Sequence, residues 1–253
     1  MSGIAAPINR VEGGLTLVQD DTGAIRLQTS ACRDHEGQLR DRSAVSAIYL
    51  TQQIGADSGI AHALAAAWAV EAACGMTPAA NGQVLRDLLY CCAMLHAQVR
   101  HFYGQVLPDY LPLAALGGYR GSWPQLQRIA GGLRDKSNGA WARQGFAHPF
   151  NGAQVDRLAE SSLRSLEVLA GLQQMLALLG GKFPVTMSIV PGGCSTPATE
   201  ELLLALRLKL EPLRPFLEHG VYQDALVVLG QYPHARTWGA AGQSFLCAGT
   251  PGR

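Results

Sequence analysis

Charged side chains are scarce, 15% of 253 residues, and the 20 basic groups nearly cancel the 19 acidic ones, leaving a formal charge of +1. Such a balance gives no bulk electrostatic pull toward nucleic acid or an anionic membrane surface. Long apolar runs are also missing. The stretch over 60–70 is Ala-rich, is interrupted by His62 and stops at Glu71, short of the roughly 18 to 20 apolar residues of a bilayer span. No membrane insertion is expected. Residues 1–10 carry neither an apolar signal core nor a twin-arginine pair, so a cytoplasmic location is expected. No C-x-x-C spacing joins Cys32, Cys74, Cys91, Cys92, Cys194 and Cys247, which disfavours a zinc ribbon or thioredoxin-type site and points to reduced thiols. With 29 Gly, 13 Pro and 48% hydrophobic residues, coiled coil and acidic disorder are excluded, and one globular domain or two tightly joined halves is expected.

What is present is mainly helical. Around Asp20-Asp21-Thr22-Gly23, Leu15 and Leu17 on one side and Ile25 and Leu27 on the other alternate as an antiparallel hairpin does. A charged connection leads to a short helix from Ser43 to about Ile54, and after Gly55 a second helix is capped by Asp57 or Ser58 and ends near Gly75. Leu85, Leu88, Cys92, Leu95, Val99, Phe102 and Val106 mark one buried face of a long helix. A second long helix over 153–179 directs Val155, Leu158, Leu166, Leu169, Leu172, Met175, Leu176 and Leu179 inward. A third opens at Thr196-Pro197, with Glu200 and Glu201 in its first turn. The expected fold class is α+β, mainly helical, with the N-terminal hairpin packed on a long-helix bundle. Its parts are a hairpin and connection over 1–42, a bundle over 43–230 and an irregular tail over 231–253. Cys74, Cys91 and Cys92, on helices, are expected to be small buried hydrophobes.

Four motifs stand in one order: Arg10-Val11-Glu12-Gly13; Thr51-Gln52-Gln53-Ile54 through His62; His101-Phe102-Tyr103; and Gly180-Gly181-Lys182 leading to Val190-Pro191-Gly192-Gly193. Together they resemble the N-terminal half of the large subunit of nickel-iron hydrogenases. Ser244-Phe245-Leu246-Cys247 is similar to an Asn-Phe-Leu-Ser segment of that family. The resemblance covers nearly the whole chain, and the departures from it carry the functional expectation. In the enzymes the second motif reads R-I-C-G-V-C-P-x-x-H, and its two thiolates ligate nickel. Counting back from His62, those positions hold Gly55 and Ser58. A hydrogen atom and a hydroxyl that stays protonated cannot replace soft thiolates. The second cysteine pair, the active-site arginine and a C-terminal histidine belong to a C-terminal half that this sequence does not include. No nickel is therefore expected, and no enzyme activity.

Other positions keep two readings. The resemblance implies that Glu12 is a hard ligand of a buried magnesium-type site; alternatively it caps or pairs near the hairpin. In Arg33-Asp34-His35-Glu36, Glu36 matches a proton-relay acid, or is a solvated loop carboxylate. His62 matches a histidine that donates toward the cysteine cluster, or is a satisfied polar residue at a helix start. The family's H-x-x-H is broken by Gln98, so His101-Phe102-Tyr103 is expected to serve packing. Cys32, beside Arg33, is the thiol best placed to be a metal ligand, because a neighbouring cation favours its thiolate.

A hydrogenase-like body without nickel thiolates resembles the HupK/HoxV-type hydrogenase maturation proteins. That resemblance implies a scaffold that transiently holds iron bearing cyanide and carbon monoxide before its transfer. Cys32 would be a labile iron ligand, with Glu36, Ser58 and His62 hydrogen-bonding the diatomic ligands. The implied partners are maturation metallochaperones and the hydrogenase large-subunit precursor. Alternatives are a structural pseudo-subunit and a complex I-like quinone-reducing large subunit.

Overall fold

A computed structural model of the chain describes residues 6–10, 13–19, 22–29, 34–55, 58–111, 113–135 and 149–237. Three strands, β1 (Ala6–Arg10), β2 (Gly13–Gln19) and β3 (Ile25–Thr29), lead into nine α-helices among the described residues. In order these are α1 (His35–Leu39), α2 (Ala44–Ile54), α3 (Gly59–Cys74), α4 (Ala80–His101), α5 (Leu107–Tyr110), α6 (Pro124–Asp135), α7 (Gly152–Gly180), α8 (Glu200–Leu210) and α9 (Val221–Gln231). A two-residue ladder, β4 (Ile189–Val190) with β5 (Gly193–Cys194), lies between α7 and α8. No helix among the described residues is long and apolar enough to cross a membrane.

The chain divides into two compact units. The first comprises Met1–Arg86 and Leu179–Pro197. Its β1–β2–β3 sheet is antiparallel, with Leu17 opposite Leu27 and Leu15 opposite Thr29. The predicted hairpin is therefore β2–β3, with one further strand before it. Ile25 and Leu27 share a face of β3 and stand 69% and 64% exposed. The helix expected from Ser43 begins at Ala44, with Ser43 as its cap accepting from Ser46 N–H, and Gly75 ends α3 in the left-handed region at φ 62°, as the sequence predicts. The core of the unit comes from α2 and α3, where Ile48, Ala63, Leu64 and Ala67 are fully buried. Gly59 lets the start of α3 lie close to α2: a Cβ there would fall 2.8 Å from the Gln52 carbonyl oxygen.

The second unit comprises Asp87–Leu178 and Ala198–Arg253. One of its buried clusters joins Tyr119, Leu126, Ala130 and Ala159, with Leu116, Trp123 and Leu163 packed against it. Two helical stretches widen into π turns, at Phe102–Val106 and Phe216–Gly220. The first follows α4, whose buried stripe differs from the predicted one. Leu85, Cys92 and Val99 are buried as expected, but the next buried residue is Tyr103, followed by Leu107, in place of Phe102 and Val106. The same one-residue offset is present ahead of the π turn, where His96 is buried in place of Leu95. Leu89 replaces Leu88, which is 38% exposed.

Three further expectations are corrected. Leu166 is 60% exposed, and Ser165 and Val168 are buried instead; the Ser165 hydroxyl donates to the Ser162 carbonyl at 2.7 Å, which makes its burial tolerable. Cys74 and Cys91 are exposed, whereas Cys92 is buried. The third long helix opens at Glu200, because Thr199 takes the capping position and accepts from Leu202 N–H, while the Thr196 hydroxyl donates to the Leu179 carbonyl. Glu200 and Glu201 are nevertheless in its first turn. Backbone hydrogen bonding there, joined by the Thr199 hydroxyl, lowers the Glu201 carboxyl.

Candidate functional site

Two of the motifs meet in the first unit. Gln52, from the Thr-Gln-Gln-Ile motif, is 2% exposed. Its amide reads the backbone of Thr186 at both ends: Oε1 accepts from Thr186 N–H at 2.8 Å and Nε2 donates to the Thr186 carbonyl at 3.1 Å. A side-chain amide thus pairs with a loop as a neighbouring strand would. Nε2 also donates to the Ile48 carbonyl. Thr186 in turn donates from its hydroxyl to the Gly180 carbonyl, and Met187 N–H donates to the same carbonyl. Gly180 must be glycine for that approach, because a Cβ there would meet Thr186 Oγ1 at 2.6 Å.

The Val190-Pro191-Gly192-Gly193 turn is held by a buried ion pair. Arg86 donates from Nη2 to Glu71 Oε1 at 2.6 Å and from Nη1 to Glu71 Oε2 at 3.1 Å, a bidentate fork. Two further donors go to the turn: Nε to the Gly193 carbonyl at 2.7 Å and Nη2 to the Val190 carbonyl. Glu71 Oε1 accepts from Gly192 N–H at 2.7 Å. Gly192 at φ 87° and Gly193 at φ 147° occupy backbone space that L side chains rarely enter. Gly193 also lies against Gly82 of α4, where a Cβ would stand 2.9 Å from the Gly193 Cα. The pair is 0% and 4% exposed at its side chains. Sequence reasoning missed both partners, although each leaves a signal: Glu71 interrupts an apolar helix, and Arg86 falls between Leu85 and Leu89 on the buried stripe of α4.

At the junction of α2 and α3, in the same unit, three residues singled out from the sequence come together. Gly55 is the C-cap of α2, Ser58 the N-cap of α3, and His62 one turn further on. Ser58 N–H donates to the Gly55 carbonyl at 3.1 Å, while the exposed Ser58 hydroxyl makes no capping bond. The half-buried His62 ring covers Gly55 so closely that a Cβ at 55 would fall 2.2 Å from His62 Cδ2 and 2.9 Å from Cγ. The imidazole therefore fills the space into which any side chain at 55 would project.

The other predicted residues are placed as follows. Glu36 is exposed in the first turn of α1, which Asp34 caps by accepting from Gly37 N–H. Cys32 and Glu12 lie outside the described residues, as does Cys247. Cys194 is half-buried in β5. His101, exposed, pairs with Gln105, and Tyr103 beside it packs, with Phe102 edge-on at 4.9 Å between centroids. Among the described residues no three His, Cys, Asp or Glu side chains converge as a metal site. Chemically, the described residues of the junction present one hydroxyl and one imidazole and no thiol.

A model of the nickel-dependent hydrogenase family matches residues 33–119 and 134–252. Among known relatives, the chain is 23% identical over 278 residues to the Hydrogenase-2 large chain of Escherichia coli K12, covering 95% of this chain and 48% of that one. It is 23% identical over 215 residues to the periplasmic [NiFeSe] hydrogenase large subunit of Desulfomicrobium baculatum, covering 83% and 40%. The fold is similar to that of the Ni-Fe-Se hydrogenase from D. vulgaris Hildenborough, with a TM-score of 0.70 and 21% identity over 92% of this chain and 45% of that one. A reduced, active form of the Desulfomicrobium baculatum enzyme gives 0.67 and 20%, over 91% and 46%. The chain spans about half the length of the relatives it matches.

Proposed function

The chain belongs to the nickel-dependent hydrogenase family, and from that premise we propose that it is a non-catalytic hydrogenase maturation scaffold. Its cargo is iron bearing cyanide and carbon monoxide, held transiently and passed to the hydrogenase large-subunit precursor. The observation that carries this reading is the α2–α3 junction. At the two positions matched to the family's nickel cysteines stand Gly55, whose side-chain space the His62 ring fills, and Ser58, whose hydroxyl makes no capping bond. A permanent centre built on two thiolates does not fit these residues. A reversible one does: hydrogen-bond donors contribute to holding a ligand without a strong metal–sulfur bond that would have to break on release.

In this reading Ser58 and His62 donate to the cyanide nitrogens, which are good acceptors. Glu36 contributes from α1, and Cys32 supplies one labile iron ligand. Gln52 and the Glu71–Arg86 pair position the two glycine-rich turns of the same unit. The resident metal of Glu12, if the family's magnesium-type site is kept, is a separate matter of oxygen ligands. Metallochaperones deliver the cargo, and the cytoplasm is the compartment.

The test is infrared spectroscopy on protein purified without oxygen from a host expressing the full hydrogenase maturation set. Two cyanide bands and one carbonyl band, with iron and without nickel, are expected. Cys32→Ala should lose the iron and the bands together. A silent spectrum from folded wild-type protein, or full iron occupancy in Cys32→Ala, refutes the respective assignment, and a silent spectrum with copurified hydrogenase small subunit marks a pseudo-subunit instead.

A further inference from the structure

The second unit holds a cavity of about 280 Å³ whose lining includes Tyr103, Leu107, Leu126, Ala159, Ser162 and Leu166. It is bordered by the first π turn, which contains the buried Tyr103. The Tyr103 ring is fixed there on several sides. Its ring stands edge-on to Phe102 and is tilted on Phe216 at 5.6 Å, and its O–H donates to Asp224 at 2.6 Å. Asp224 is 0% exposed and also accepts from Arg157 Nε at 2.7 Å, so its carboxylate is occupied away from the cavity.

The polar inventory decides what such a cavity can take. Its two hydroxyl hydrogens are committed, that of Tyr103 to Asp224 and that of Ser162 to the Leu158 carbonyl at 2.8 Å. No charged side chain is in the lining. An anion, a cation or a sugar would lose its hydration there without replacement. The Tyr103 phenolic oxygen is also hydrogen-bonded to the Ser161 side chain, which leaves the lone pairs of Ser162 Oγ as the open side-chain acceptor of the lining. Leu166, 60% exposed at the edge of the lining, shows that the cavity opens to solvent. Size narrows the class further: a dry apolar cavity of about 150 Å³ accommodates benzene, so the volume here suits about two fused rings.

We propose that this cavity is a binding site for a compact, uncharged aromatic molecule of bicyclic size, carrying a single N–H or O–H donor directed at Ser162 Oγ. The proposal is independent of the iron-scaffold reading, because every residue it uses lies in the second unit.

Indole is the probe, titrated into the full chain and followed by calorimetry and saturation-transfer NMR, with 1-methylindole as the control that lacks the donor. Saturable binding of one indole per chain is expected. Ala159→Met extends a side chain into the cavity and should weaken both ligands at least about tenfold. Ser162→Ala should weaken indole about fivefold and leave 1-methylindole unchanged. Leu166→Trp, at an exposed position, fills the opening and decides the matter if Ala159→Met does not fold. The proposal is overturned if indole shows no saturable binding, or if a folded cavity-filling variant binds it with wild-type affinity. Equal weakening of indole and 1-methylindole by Ser162→Ala overturns the assigned hydrogen bond.

Discussion

Substituting Gly55 by Ala sets two effects of opposite sign against each other. Gly55 adopts φ −69° and ψ −10°, right-handed helical space that alanine occupies without strain. On backbone grounds alone the substitution should stabilise the protein by about 0.4–1 kcal/mol, through lost freedom of the unfolded chain. Sterics oppose it. The new Cβ would lie 2.2 Å from His62 Cδ2 and 2.9 Å from both His62 Cγ and the Thr51 carbonyl oxygen. The Thr51 carbonyl is the one to which Gly55 N–H already donates, at 2.8 Å, and needs only a small adjustment. The ring contact is more than an ångström too short and needs the imidazole to leave its place or α3 to shift. Overpacking of this kind costs about 1–3 kcal/mol, so the steric term wins and Gly55→Ala should destabilise. In a His62→Ala background the obstructing atoms are gone, and the same substitution should become neutral or stabilising. Urea unfolding of the wild type, both single variants and the double variant measures the coupling, expected at about 1–3 kcal/mol. Equal effects of Gly55→Ala in both backgrounds, within about 0.5 kcal/mol, would refute the assignment of His62 to this space. The same geometry predicts that Gly55→Cys alone does not rebuild a thiolate site.

Removing Glu71 leaves the Arg86 guanidinium buried without a counter-charge and Gly192 N–H without its acceptor. Glu71→Ala should therefore cost about 3–5 kcal/mol, read by chemical denaturation, and Glu71→Ala with Arg86→Met should cost less than Glu71→Ala alone. Gln52→Leu strands both the N–H and the carbonyl of Thr186 in a buried setting, a loss of at least about 2 kcal/mol, and amide exchange at Thr186 should accelerate well beyond that of its neighbours. The Cys92 thiol is pushed up to about 11, first by burial and then by neighbouring Cys91. At pH 8 about one molecule in a thousand then carries the Cys92 thiolate, so iodoacetamide should label exposed Cys91 and spare Cys92, as mass spectrometry of the peptides would show. Because the folded state holds this thiol protonated, its contribution to stability is complete below the unfolded thiol range and is lost as pH rises toward about 11.

Local chemistry made most helix ends legible. Ser43, Gly75 and the Glu200-Glu201 pair announce ends of α2, α3 and α8 because capping depends on a few adjacent residues. The departures arise where a neighbour outside the local pattern decides. Leu88 and Leu166 fit an apolar spacing yet are exposed, and Arg86 and Ser165 break it yet are buried, because a bidentate carboxylate or a nearby carbonyl satisfies the polar group once the chain has folded. The π turn at Phe102–Val106 contains Gly104 and is followed by Pro108, yet hydrophobic periodicity alone does not distinguish it from a continuing α-helix.

The motif order, the absence of thiolates at 55 and 58 and the positions of Cys32, Glu36 and His62 could be read from the sequence, because residue identity and spacing need no third dimension. The sequence also determined the helical class and the family, through hydrophobic periodicity and the four ordered motifs. Tertiary structure alone decided why those motifs matter physically. Gln52 reaches Thr186 across 134 positions, Glu71 reaches Gly192 across 121 and Arg86 reaches Gly193 across 107. It also decided that the His62 ring lies over Gly55. Side-chain bonding between distant segments depends on how helices pack, and packing is settled by the whole buried surface rather than by any local pattern.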